Sequence, residues 1–341
     1  MTAKISRRTM LLSAAVGAAA ALLPARTAAI GQPIDESGFV PIGGIDQWVA
    51  IQGQEDANPV ILFLHGGPAE AESPFLREFV PWEHDFTMVN WDQRGSGKTY
   101  GKNGPATPGM TVERMAEDAI EVGEYALRRL RKKKLVLVGH SWGALLGLYA
   151  VARRPNLFYA FIGTGQPVTW TLTIEDRERW AREQAAADHD TVSIQALDAT
   201  AALPVSDMKR VTASNKWRLS PTDVQYLTIE RDFIGSPPFP TKGDVADWLA
   251  GGDFTDGKLW PTITTFDARK QFPKIPIPFF VIEGRDDHMV SFGAAEDYLE
   301  QVQAPTKAFI PIDGGHFACF TNPSEFTDAL RKCIMPLITT K

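Results

Sequence analysis

The chain has 341 residues, 44% hydrophobic and 22% charged, with a formal net charge of −6. This is globular composition, enough for one large domain or a domain carrying an insertion. The acidic balance does not suggest a nucleic-acid binder.

Taken in chain order, the first 29 residues hold four bases, Lys4, Arg7, Arg8 and Arg26, and no acid. The Arg7-Arg8 pair precedes an apolar stretch from Met10 to Leu23, shorter than the roughly 20 helical residues that span a bilayer. It ends in the small residues "ARTAA". This reads as a twin-arginine export signal over 1–29, cut after Ala29. The partner so implied is the twin-arginine export machinery, and the mature protein is periplasmic or secreted. Losing those four bases takes the net charge to −10. No later segment is long and apolar enough for a stable membrane span.

Residues 30–166 read as the first part of an α/β core. A hairpin turns at Gly43-Gly44, and "VILFLHGG" and "FTMVNWDQRGSG" follow as buried strands leading into glycine turns. "TVERMAEDAIEVGEYALRRLRKKK" is an amphipathic helix with Thr111 as N-cap and a basic last turn. "LVLVG" and "FYAFIGTG" are two more strands. Alternating helices and near-continuous apolar strands predict a mostly parallel sheet with helices on both faces. Residues 167–272 break the pattern and read as a helical insertion with five tryptophans, among them Trp180 and Trp217. Residues 273–341 return to strand and helix and complete the core. Cys319 and Cys333 are too few for a disulfide framework. Free thiols are expected, with a single late bridge as the alternative.

The chemistry starts at "GHSWG". A serine between glycines, after a strand and before a helix, is the nucleophile-elbow pattern, and makes Ser141 the candidate nucleophile. A serine hydroxyl needs a base, and the base an orienting group. Of six histidines, His316 in "DGGHFACF" falls in the loop after the last strand, where reactive residues gather in such sheets. His140 flanks the serine and is expected to point away from it. "VIEGRDDHMV" supplies the acid, Asp287, with Asp286 as the alternative. The oxyanion hole needs two backbone N–H groups, expected from Trp142, next to the serine, and from Gly67 in "HGGP". "WDQRGSGKT" is read as a bracing loop in which Asp92 and Arg94 pair.

Together "HGGP", "DQRGSGKT", "GHSWG", "GRDD" and "GGHF" resemble the prolyl aminopeptidase (proline iminopeptidase) family of α/β-hydrolases. The resemblance implies an α/β-hydrolase fold with an inserted helical cap over the active site. It also implies Ser141, Asp287 and His316 as catalytic groups, and hydrolysis with no metal or organic cofactor. The family's cap glutamates hold the substrate's free amine; Glu230 is the candidate here, with Glu178 and Glu183 behind it, and Trp180 and Trp217 as aromatic substrate contacts. One departure is "AEAES", Ala69 to Ser73, where the family has a glycine run. The function expected is that of an exported serine hydrolase cleaving a small amide, N-terminal peptide or ester bond of a small molecule or short peptide. The alternatives are a general cap-domain esterase or amidase acting on a non-peptide substrate, and a ligand-binding protein on the same fold. Serine at 141 argues against the carboxylate-nucleophile enzymes of this fold.

Overall fold

The computed structural model describes residues 32–233 and 241–339, with the side chains of 229–233, 242 and 339 excepted. The export-signal reading and the side chain of Glu230 lie outside the described residues. Eight strands form one sheet: β1 (Ile34–Ile42), β2 (Ile45–Gly53), β3 (Val60–Leu64), β4 (Thr87–Trp91), β5 (Leu135–His140), β6 (Phe158–Thr164), β7 (Phe279–Gly284) and β8 (Lys307–Ile312). Their order across the sheet is β1-β2-β4-β3-β5-β6-β7-β8. β1 and β2 form the expected hairpin, β2 runs antiparallel to β4, and every later pairing is parallel.

Burial explains the pattern read from the sequence. Every residue of β3, β4, β5 and β7 is buried, as expected for strands covered on both faces. Successive residues serve opposite faces: Leu62 and Leu64 pack with the Val112–Leu130, Trp142–Arg153 and Phe292–Gln301 helices. Ile61 and Phe63 pack with Phe79, Trp82 and the Pro323–Thr339 helix. Thr111 caps its helix by accepting from the Arg114 N–H. Cys319 and Cys333 are both buried free thiols.

Between β6 and β7 the chain is helical: Trp170–Ala187, Thr191–Thr200, Met208–Ala213, Pro221–Phe233, Lys242–Thr265 and Ala268–Gln271. Thr169, Asp190 and Asp207 each cap the helix that follows, and Thr241 with Asp244 forms a capping box. Among the described residues no helix is long and apolar enough to cross a membrane.

Two features depart from expectation. The "DQRGSGKT" segment runs directly into a helix, Gly97–Asn103. Arg94 does not pair with Asp92. It donates to Asp118 through Nε at 2.7 Å and Nη2 at 3.0 Å, and to the carbonyls of Pro108 and Gly43. Asp92 instead accepts from Ser73 and from the Lys98 N–H. Buried in this way, Arg94 joins the β1–β2 turn to the Val112–Leu130 helix and stays away from the cavity described next.

Candidate active site

The parallel strands end on one edge of the sheet, and the loops there assemble the site. Ser141 follows the last residue of β5 with φ 52° and ψ −117°. A serine in that region stores about 1–3 kcal/mol of strain, so the surroundings must impose it. The Ser141 N–H donates to the Thr164 carbonyl at 2.9 Å, and the Ser141 carbonyl accepts from the Ala144 N–H at 2.9 Å. A Cβ on Gly143 would collide with the Leu64 carbonyl, and one on Gly139 with the Gly143 carbonyl. The small residues on both sides of the serine therefore let strand and helix meet backbone to backbone.

His316 stands in the loop after β8, 3% exposed. Its Nδ1 donates to Oδ2 of Asp287 at 2.8 Å. Asp287 is buried, whereas Asp286 is exposed. The other Asp287 oxygen accepts from the N–H groups of Met289 (2.8 Å) and Val290 (3.0 Å). Burial works against charge on Asp287, but the His316 charge and these bonds hold its carboxyl below the usual range. Glu283, buried behind it on β7, is pushed well up by burial and by the Asp287 charge. The two carboxyls thus move in opposite directions, Glu283 up and Asp287 down. His140 points away from the serine, its Nε2 3.0 Å from the His316 carbonyl. Burial drives its pKa down to about 3.

Two groups that sequence reasoning missed hold these loops in place. Asp223, from the Pro221–Phe233 helix, is fully buried and accepts from the His316 and Phe317 N–H groups, both at 3.0 Å. It lies so close that any side chain at Gly315 would strike it. Gln93, from the "DQRGSGKT" segment, donates to the His65 carbonyl at 3.0 Å and accepts from Trp142 Nε1 at 3.0 Å. It thereby ties the "HGGP" loop to the start of the helix after the serine. Gly67 takes φ +104°, which a side chain would resist. Trp142 opens its helix, so its backbone N–H has no intrahelical acceptor.

Ser141, His316, Gly67 and Trp142 all line one cavity of about 310 Å³. Trp170, Trp260, Phe266 and Phe317 supply aromatic wall. Trp180 and Trp217, expected there, lie elsewhere: Trp180 stacks on His288 with ring centroids 4.0 Å apart and donates to the Trp217 carbonyl. Trp180 is on the same helix as Trp170, but farther along it than the cavity reaches. Glu178 is taken up by a two-bond pair with Arg210. The carboxylates lining the cavity among the described residues are Glu70 and Asp256, beside the guanidiniums of Arg177 and Arg218. Glu70 belongs to "AEAES", so the replaced glycine run was the signal for it. Its side chain is exposed to the cavity, yet the protein around it withdraws water, and this, with Asp256 adding, raises its carboxyl against the pull of His316 and Arg218. Among the described residues no cluster of His, Cys, Asp and Glu is placed to hold a metal.

A strained serine at a strand–helix turn and a carboxylate-bound histidine after the last strand of a parallel sheet define a class. Residues 59–323 match the family described as alpha/beta hydrolase fold, and the chain belongs to it. It is a hydrolytic enzyme. It is similar to the probable aminopeptidase YbaC of Bacillus subtilis (strain 168), with 27% identity covering 85% of this chain and 93% of that one. It also resembles the proline iminopeptidase of Lacticaseibacillus rhamnosus (strain Lc 705), at 25% identity over 74% of this chain and 82% of the other. Among solved structures, the proline iminopeptidase of Mycobacterium smegmatis superimposes with a TM-score of 0.62 at 20% identity, covering 89% of this chain and 98% of that one. That likeness speaks for the fold.

Proposed function

We propose that the protein is an exported serine hydrolase that cleaves a small amide or N-terminal peptide bond, with a free substrate amine as part of what it recognises. The observation that carries this reading is the shared cavity. It holds Ser141 on its strained turn together with His316, whose Nδ1 is committed to Asp287. With Nδ1 engaged, Nε2 is the nitrogen left to take a proton. Ser141 Oγ attacks the carbonyl carbon as His316 removes its proton, and the charge that develops on the carbonyl oxygen meets the N–H groups of Gly67 and Trp142. As the C–N bond breaks, His316 gives its proton to the departing nitrogen and an ester remains on Ser141. Water, deprotonated by His316, then attacks the ester; the C–Oγ bond breaks, His316 returns the proton to Ser141 Oγ, and the acid is released. Asp287 keeps the imidazole in one tautomer and stabilises its charged form.

The amine part of the reading rests on Glu70 and Asp256, which give the cavity carboxylates beside its apolar walls. Carboxylates on an apolar-walled cavity attract a cation, and a substrate α-ammonium is such a cation. The names of the similar proteins point the same way. Export rests on Arg7-Arg8 and the apolar stretch after them.

Labelling of the mature protein by a fluorophosphonate, abolished by Ser141→Ala, tests the nucleophile. Aminoacyl anilides with free and acetylated amines then test the specificity. A preference for the free amine that Glu70→Gln reduces is the expected result. Equal rates, or faster turnover of acetylated or simple ester substrates, would make the protein a general esterase or amidase instead.

A further inference from the structure

The cavity around Ser141 is also lined by two guanidiniums that, among the described residues, no ion pair closes. Arg177, on the Trp170–Ala187 helix, is 5% exposed and lines the cavity. Its Nη2 donates to Oδ1 of Asn215, a neutral acceptor, at 2.5 Å. Its Nε is buried with no hydrogen-bond partner among the described residues. Arg218 lines the same cavity, partly buried, and lies near enough to Arg177 for the two charges to repel. Burial, with Arg218 adding to it, drives Arg177 down to about 10 against the pull of Asp287 and Glu178, and burial lowers Arg218 against the pull of Glu70. Glu70 feels Arg218 across the cavity, but among the described residues neither arginine is closed by an ion pair. Arg210, in the same helical segment, shows the contrast: Glu178 satisfies it with two bonds, at 2.7 and 2.9 Å.

A buried guanidinium that no carboxylate bonds directly is costly, and a second one facing the same space adds repulsion. An entering anion relieves both. Guanidinium N–H groups match the two oxygens of a carboxylate, whereas a phosphate dianion would meet stronger repulsion from Glu70 and Asp256.

We propose that Arg177 and Arg218 form a carboxylate-binding subsite, so that the substrate carries a free carboxylate in addition to the bond that Ser141 attacks. With Glu70 and Asp256 on the same cavity, the ligand class is a small zwitterion of dipeptide size. A volume of about 310 Å³, at the small end of ligand pockets, suits that size. The inference rests on the serine-hydrolase reading of this cavity, and its test is separate from turnover.

Calorimetric titration of the Ser141→Ala protein with alanyl-alanine and with alanyl-alanine amide reads the carboxylate alone, because neither compound is consumed. The acid is expected to bind at least about tenfold more tightly than the amide, the effect of one charge-assisted hydrogen bond. Adding Arg218→Gln, or Arg177→Gln, is expected to bring the two affinities together. Arg218 is the less buried of the two, so its variant keeps the test open if Arg177→Gln does not fold. Equal affinities in the Ser141→Ala protein, no binding of either compound, or a preference that survives both arginine variants would overturn the subsite. Loss of the hydrolase reading shows separately, as absent fluorophosphonate labelling of the unsubstituted protein.

Discussion

His316 is pulled in two directions. Burial, the largest single influence, favours the neutral ring, while the charge and hydrogen bond of Asp287, with Asp223 and Glu70 behind them, favour the imidazolium. The carboxylates win, and the ring titrates above its ordinary 6.5. Only the neutral ring can act as base, so the sign follows. In the proposed mechanism activity should fall as pH drops through a midpoint above 6.5, because acidification protonates the group that would accept the Ser141 proton. Glu70→Gln removes one of the charges that raise this pKa, so the acid limb of kcat/KM should move to lower pH even where kcat/KM itself falls. A pH profile of parent and variant on one substrate checks both statements; an acid limb that stays in place means that Glu70 does not act on His316. Ser141, Asp287 and His316 were legible in the sequence because each stands just after an apolar strand, in a segment short enough to fix its end of the sheet. The choice between Asp286 and Asp287 was open there, since neighbours in a loop differ only in which way they face. Glu70 was visible only as a departure from a glycine run.

At the scale of elements, the fold was readable wherever a strand is buried on both faces, as "VILFL" and "LVLVG" are. What the sequence hid were contacts between distant segments. Arg94 finds Asp118, a helix residue 24 positions on, and not Asp92, its neighbour in the motif. The cavity tryptophans were hidden for a related reason: richness in tryptophan is compositional, but which ones reach the cavity depends on where each helix lies over the sheet. Asp223 is the clearest case. It is a direct polar link from the inserted helices to the loop of His316, accepting the N–H groups of His316 and Phe317. Removing it leaves these amides buried without their acceptor, at a cost of about 1–3 kcal/mol each. Asp223→Ala should therefore lower the urea midpoint and reduce kcat/KM together, because the His316 backbone loses its anchor. It should also shift the acid limb downward, since Asp223 contributes to the raised pKa of His316. An unchanged urea midpoint with unchanged kcat/KM would mean that the loop is held by its other contacts.

At the scale of the whole molecule, the export proposal makes a claim about order of events. The twin-arginine route carries folded cargo, so the sheet, the cap and the strained turn at Ser141 must all form in the cytosol. Two buried, unpaired cysteines suit that sequence, because folding in a reducing compartment asks for no disulfide. The alternative, export of an unfolded chain through a general secretory channel, needs an apolar signal but not the paired arginines. Arg7→Lys combined with Arg8→Lys keeps the positive charge and the apolar stretch, and removes only the pair. The expected outcome is protein held in the cytosol with its signal uncleaved. There it should still react with a fluorophosphonate at Ser141, because folding precedes transport and is untouched by the change. Fractionation followed by labelling of each fraction reads location and fold at once. Labelled, processed protein at the parent's level in the periplasmic fraction of the double variant would show that the pair is not the export determinant. Unlabelled protein retained in the cytosol would show instead that the chain does not fold before it is moved.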